Sequence, residues 1–97
     1  MKSSYENNVM QLFSYSDVMH PVVTECEKAM SEWDYEYIET WLNDYSEGTI
    51  HEVVLGLVPY GYESVAREEL RNLHKRMKAV LDDIDSLYYE IRAEWLE

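Results

Sequence analysis

The chain has 97 residues, room for one domain with a modest core and not for two. Twenty Asp and Glu stand against eight Lys and Arg, a net charge of −12 with the histidines neutral, which disfavours direct binding of DNA, RNA or an anionic membrane and points to a basic partner. Apolar residues make up 46 % of the chain, enough to exclude wholesale disorder despite the charge.

The opening MKSSYENN lacks the apolar stretch of a signal peptide, and the longest apolar run, residues 53–58, is far too short to span a membrane. A cytoplasmic protein is expected. Ser3 followed by Glu6 starts a first predicted helix, about residues 4–13, with Tyr5, Val9, Leu12 and Phe13 apolar. The same hydroxyl-to-acid spacing recurs at Ser14–Asp17, Ser31–Asp34 and Thr49–Glu52. Each can form a capping box, in which hydroxyl and carboxylate satisfy the orphan amides of a first turn. Acids are common enough here that such pairs also arise by chance, as at Thr24–Glu27 in mid-helix. The other four agree with the apolar periodicity.

A second helix is predicted over about 17–30, with Pro21 in its opening turn and Val18, Val22, Cys26 and Met30 on one side. Cys26 is the single cysteine, which precludes an intramolecular disulfide, and its apolar-periodic position predicts a buried, inert thiol. A third helix covers about 32–45. Gly48 breaks the chain, and the apolar segment 50–58 follows, a fourth helix or, from its β-branched content, a strand at 49–58. Pro59 to Gly61 make a turn. The fifth helix runs from about 63 to 96, on the order of 50 Å at 1.5 Å per residue. The predicted fold is all-α, a single domain over 1–97 with four short helices packed on a long C-terminal one.

Along that long helix the apolar residues Ala66, Leu70, Leu73, Met77, Val80, Ile84, Leu87 and Ile91 alternate four and three apart, a heptad seam. In the second half Leu81, Tyr88 and Trp95 widen the seam to the breadth of a core-facing helix; in the first half Arg67 and His74 keep it narrow. The second half is therefore expected to be the spine of the body. The first half is expected to project, or to pair with a second copy through Leu70, Leu73, Met77 and Val80 in a homodimer. A core-packed monomer spine is the competing reading.

No catalytic, cofactor or metal site is predicted. His20, His51 and His74 fall on three different elements, with neither a His-x-x-x-His nor a Glu-x-x-His pair, and no Gly-rich phosphate loop or nucleophile elbow occurs. The basic residues Arg67, Arg71, Lys75, Arg76 and Lys78 gather on the first half of the long helix without aromatic interleaving. Charge pairing within or between subunits is expected of them, not nucleic-acid binding.

The charge layout is the informative feature. Between Lys28 and Arg67 no Lys or Arg occurs, while Glu32, Asp34, Glu36, Glu39, Asp44, Glu47, Glu52 and Glu63 all do. On the third predicted helix Glu32, Glu36, Glu39 and Asn43 follow four-three-four spacing and share a face, opposite Ile38, Trp41 and Tyr45, with Trp33 and Tyr37 at the margin. Like charges so spaced weaken a helix by about 0.2–0.5 kcal/mol per pair, and folding does not ask for them. A carboxylate row with Cβ atoms roughly 5–6 Å apart can take charge-assisted bonds that a Lys/Arg groove otherwise gives to phosphates. Glu32, Asp34, Glu36, Tyr37, Glu39, Asp44 and Glu47 are thus the predicted partner-binding residues. A solubility face over a purely structural set of aromatics is the competing reading.

In size, in charge and in the acidic, aromatic segment SEWDYEYIETWLNDYSEG, the chain resembles the small acidic inhibitors that phages and mobile elements use against host defence, the anti-restriction DNA mimics and some anti-CRISPR proteins. The resemblance is one of class and covers that segment alone. It implies a basic, nucleic-acid-binding protein as partner and occlusion of its groove as mechanism. Two alternatives stand beside it: a dimeric coiled-coil adaptor or regulatory subunit, and an immunity protein or antitoxin acting on a basic nuclease.

Overall fold

The computed structural model describes residues 13–96. The first predicted helix, apart from Phe13, and the Ser3–Glu6 box lie outside the described residues. Within them the chain is all-helical: α1 Tyr15–Ser31, α2 Tyr35–Glu47, α3 Thr49–Leu57 and α4 Glu63–Leu96.

Helix α1 begins on the predicted capping box. The Ser14 hydroxyl accepts from the Asp17 amide at 3.1 Å and the Asp17 carboxylate accepts from the Ser14 amide at 2.9 Å. Because the helix starts at Tyr15, Pro21 lies in its second turn and not its opening one, where its missing N–H forfeits an intrahelical bond. The helix ends in a Schellman arrangement: Trp33 N–H donates to the Met30 carbonyl and Asp34 N–H to that of Ala29. Trp33 holds the left-handed position, φ +52°, which glycine ordinarily fills.

That turn displaces the predicted start of the next helix. Asp34 caps α2, its carboxylate accepting from the Tyr37 amide, so Glu32 and Trp33 stand outside the helix. No box forms at Ser31, whose hydroxyl donates instead to the Lys28 carbonyl. Gly48, at φ +84°, ends α2 and opens α3, so one left-handed residue turns the chain without a linker. Thr49 is already helical and makes no side-chain cap. Segment 49–57 is a helix, which overturns the strand alternative. Ile50, Val54 and Val58 recur at helical spacing and turn toward the core, and that placement outweighs β-branched propensity.

The three short helices all pack on α4, with α2 making the most extensive contact. The core comprises Met19, Cys26 and Met30 of α1, Ile38 and Trp41 of α2, Val54 of α3, and Ala66, Leu70, Leu73 and Met77 of α4. Leu70 and Met77 have no solvent exposure and Leu73 has 2 %. Val80, Leu81 and Ile84 are partly buried at its edge. Beyond them the seam is uncovered: Leu87, Tyr88, Ile91 and Trp95 are all exposed, and the described chain measures 72 × 20 × 18 Å.

Two expectations about α4 are therefore reversed. Its first half is the spine of the body and its second half projects. Leu70, Leu73 and Met77, with the half-buried Val80, are occupied by the chain's own helices, so the predicted dimer seam is not free for a second copy. The narrow stripe suffices because α1, α2 and α3 close around it, and because His74, counted as polar, stacks on Tyr45 at 4.2 Å and seals the flank.

Truncating the spine should separate the two halves. Leu73→Ala is expected to cost about 2–5 kcal/mol of unfolding free energy in urea titrations, whereas Ile91→Ala should stay within about 0.5 kcal/mol. Equal losses would contradict this assignment of core and arm.

Candidate functional site

On α2 the carboxylates divide between two sides. Glu36, Glu39 and Glu47 stand on the outer face with Thr40 and Asn43, all exposed. The predicted row is thus shifted by one turn: Glu32 closes α1 instead of heading α2, and Glu47 extends the row at the other end. Tyr37, Trp41 and Asp44 turn to the adjoining side. They form one wall of an apolar groove of about 390 Å³ between α1 and α3, whose other walls are Pro21, Val22, Ile50 and Val53, with Glu25 a second acid in its lining. Tyr37 also borders a smaller recess of about 90 Å³ with Glu25, Lys28, Glu32 and Asp34.

The seven predicted residues therefore meet on one short helix and its leading turn, but as three groups: the outward row Glu36, Glu39 and Glu47, the groove with Tyr37 and Asp44, and the recess that Tyr37 shares with Glu32 and Asp34. Burial, with the carboxylates of Glu25 and Asp34 nearby, raises the Tyr37 hydroxyl above its ordinary range. The sequence reading missed the groove itself and its second acid, Glu25, because α1 and α3 contribute residues far apart in the chain. It also placed Trp33 only at the margin. The ring is 46 % exposed, held between Glu32 and Asp34 on a left-handed backbone. A tryptophan there costs about 1–2 kcal/mol that glycine would avoid. No sequence pattern announces this, since the expected residue at that position is Gly.

No cation among the described residues pairs with this surface. Among the described residues two ion pairs form, Arg71–Glu68 at 3.1 Å and Arg76–Glu27 at 3.3 Å, both exposed. Neither involves residues 32–47, and Lys28 lines the small recess without pairing to Glu32 or Asp34. Charge pairing of the basic cluster is thus local to α4 and α1, and does not reach the acidic helix.

Other polar groups are accounted for by packing. Tyr45 is flanked by Trp41 at 5.6 Å, His51 at 4.6 Å and His74 at 4.2 Å, one aromatic stack joining α2, α3 and α4. Tyr15 donates to Glu69 at 2.5 Å, tying α1 to α4. Cys26 is fully buried, and burial pushes its thiol up to about 12, so it is not a thiolate at neutral pH. Among the described residues no three His, Cys, Asp or Glu side chains converge as metal ligands, and no helix is long and apolar enough to cross a membrane. No protein-family model, no curated protein and no solved structure matches the chain.

His74 supplies a pH prediction. Burial against Tyr45, with Lys78 nearby, lowers it from its ordinary 6.5. The unfolded chain then binds more protons between 6.5 and the folded value, so its stabilising contribution is present above 6.5 and fades as pH falls below. The urea midpoint is expected to drop between pH 7 and pH 5.5, and His74→Gln should flatten that slope. A midpoint unchanged over this window in the unsubstituted protein would contradict the burial of a neutral imidazole.

Proposed function

We propose that this protein acts by binding, without catalysis: it presses the α2 surface into the basic groove of a nucleic-acid-binding protein and keeps the nucleic acid out. The observation that carries the reading is the absence, among the described residues, of any internal cation paired with the carboxylates of 32–47, in a protein that has cations to spare on α4. Charge left unpaired at −12 destabilises the compact state and speeds encounter with a basic surface.

The geometry adds places to anchor. A Lys or Arg side chain entering the groove can lay its stem on Trp41 and Val53 and carry its charged head to Asp44 or Glu25. Trp33 offers a rigid exposed ring beside Glu32 and Asp34. Glu36, Glu39 and Glu47 face outward along α2, where they can accept charge-assisted bonds from Lys and Arg that otherwise hold phosphates. An adaptor that pairs through Leu70, Leu73 and Met77 gains no support, because those side chains form the core.

Affinity capture from a lysate of the source organism, followed by elution with double-stranded DNA or RNA, tests the reading. The captured protein should be basic, held more tightly at low salt, and displaced by nucleic acid. Joint replacement of Glu32, Glu36, Glu39, Asp44 and Glu47 by Gln or Asn should abolish capture with helical content unchanged by circular dichroism. Capture that survives this replacement would falsify the proposal.

Trp33→Gly separates binding from folding. Glycine relieves the left-handed backbone, so stability should hold or rise by up to about 1 kcal/mol while binding to the captured partner weakens at least tenfold. Loss of both together would make Trp33 a structural residue.

A further inference from the structure

A second surface is left uncovered by the fold, on the projecting half of α4. The heptad seam buried at Leu70, Leu73 and Met77 continues past the partly buried Ile84 through Leu87, Tyr88, Ile91 and Trp95, where no element of the described chain covers it. Exposure is 42 % at Leu87, 59 % at Tyr88, 47 % at Ile91 and 84 % at Trp95. A stripe as broad as a core face but exposed to water marks an interaction surface. At its inner end it deepens into a notch of about 390 Å³ between Tyr35, Ile84, Asp85 and Tyr88.

We propose that this arm docks an amphipathic helix of a protein partner whose apolar face is edged with Lys and Arg. Stripe width and length match a helix laid in parallel or antiparallel, with anchors at heptad spacing. Charge selects the occupant. By helical position Asp83, Asp85, Glu90 and Glu94 border the stripe, Asp82 lies on the opposite face, and Arg92 is the sole cation of the arm. A second copy would bring both acidic sets together with one arginine each to offset them, on chains that already repel at −12. A basic-edged helix removes that repulsion and pairs its cations with the same carboxylates. The inner notch adds a specific position, where the Asp85 carboxylate stands beside Tyr35. The inference does not depend on the role given to the outer face of α2.

The test uses the full chain and three synthetic peptides: a helical heptad peptide with Leu and Ile at a and d and Lys and Arg at e and g, a version with Glu at e and g, and a scrambled version of the basic one. By fluorescence anisotropy the basic heptad peptide should bind at least tenfold more tightly than the scrambled peptide of equal charge, and the Glu-edged peptide should not bind. Tyr88→Asp with Ile91→Asp should weaken the basic peptide at least tenfold without moving the thermal midpoint, while Glu36→Gln with Glu47→Gln should leave it unchanged. Absence of binding, equal binding of the scrambled peptide, or insensitivity to the arm substitutions overturns the proposal. So does a chain that is dimeric by light scattering and becomes monomeric with Ile91→Asp, which would make a second copy the occupant.

Discussion

Everything in this molecule is arranged around burial of a single helical stripe. Helices α1, α2 and α3 have 17, 13 and 9 residues, lengths that are marginal in water on their own, and each is held by laying its apolar side on the first half of α4. Ala66, Leu70, Leu73 and Met77 are the common floor that all three reach, so loss of contact with α4 would leave each short helix without a core. The aromatic stack on Tyr45 and the Tyr15–Glu69 bond brace the edges of that floor. A body built this way has a definite end. Where the short helices stop, the stripe does not, and among the described residues nothing covers Leu87, Tyr88, Ile91 and Trp95 of α4.

Charge distribution follows from the same division. Both ion pairs of the described residues lie around the buried half of α4, where all of its cations but Arg92 sit. Exposed pairs of this kind add at most about 1 kcal/mol each, so they do not hold the fold together. Among the described residues the acids on α2 and on the arm have no such partners. On α2 the left-handed turn at Trp33 and the cap at Asp34 set the first carboxylates at the helix entrance, where the macrodipole favours negative charge. Further along, at Glu47, the dipole disfavours it. The acidic run thus continues past the point where local helix stability would accept it.

Much of this fold can be read from spacing alone, and the exceptions have physical causes. The capping box at Ser14, the breaks at Gly48 and Gly61 and the start of α4 follow from local rules, since each depends on residues within one turn of another. The start of α2 was misplaced because a Schellman turn with tryptophan in the left-handed position carries no signature; Ser31 and Asp34 imitate a capping box while serving two different helix ends. The two halves of α4 were exchanged because stripe width counts side chains, whereas coverage depends on how far three other helices reach. His74 misled in the same direction: by composition it is polar, but in place it is an aromatic wall. At the candidate site the acids and Tyr37 were legible as a cluster on one helix. Their separation into an outward row and a groove wall was not, because the groove is made by Pro21, Val22, Ile50 and Val53 from other elements.

The two uncovered surfaces have the same composition, an apolar or aromatic floor edged by carboxylates, and they meet at Tyr35, which stands at the head of α2 and lines the notch at the base of the arm. Such an edge and floor govern different parts of a binding reaction. Exposed carboxylates act over about a Debye length, roughly 8–10 Å at physiological salt, and chiefly raise the rate of encounter with a basic surface. The floor acts only in contact, through area removed from water and packing of rings such as Trp33, Trp41 and Trp95, and so governs how long the complex lasts. An acidic surface without a floor would attract basic proteins indiscriminately and release them as quickly. A floor without the acids would be an aggregation liability on a small chain. That both occur together, twice, on faces the core does not use is the reason to read these surfaces as built for a partner and not as by-products of solubility.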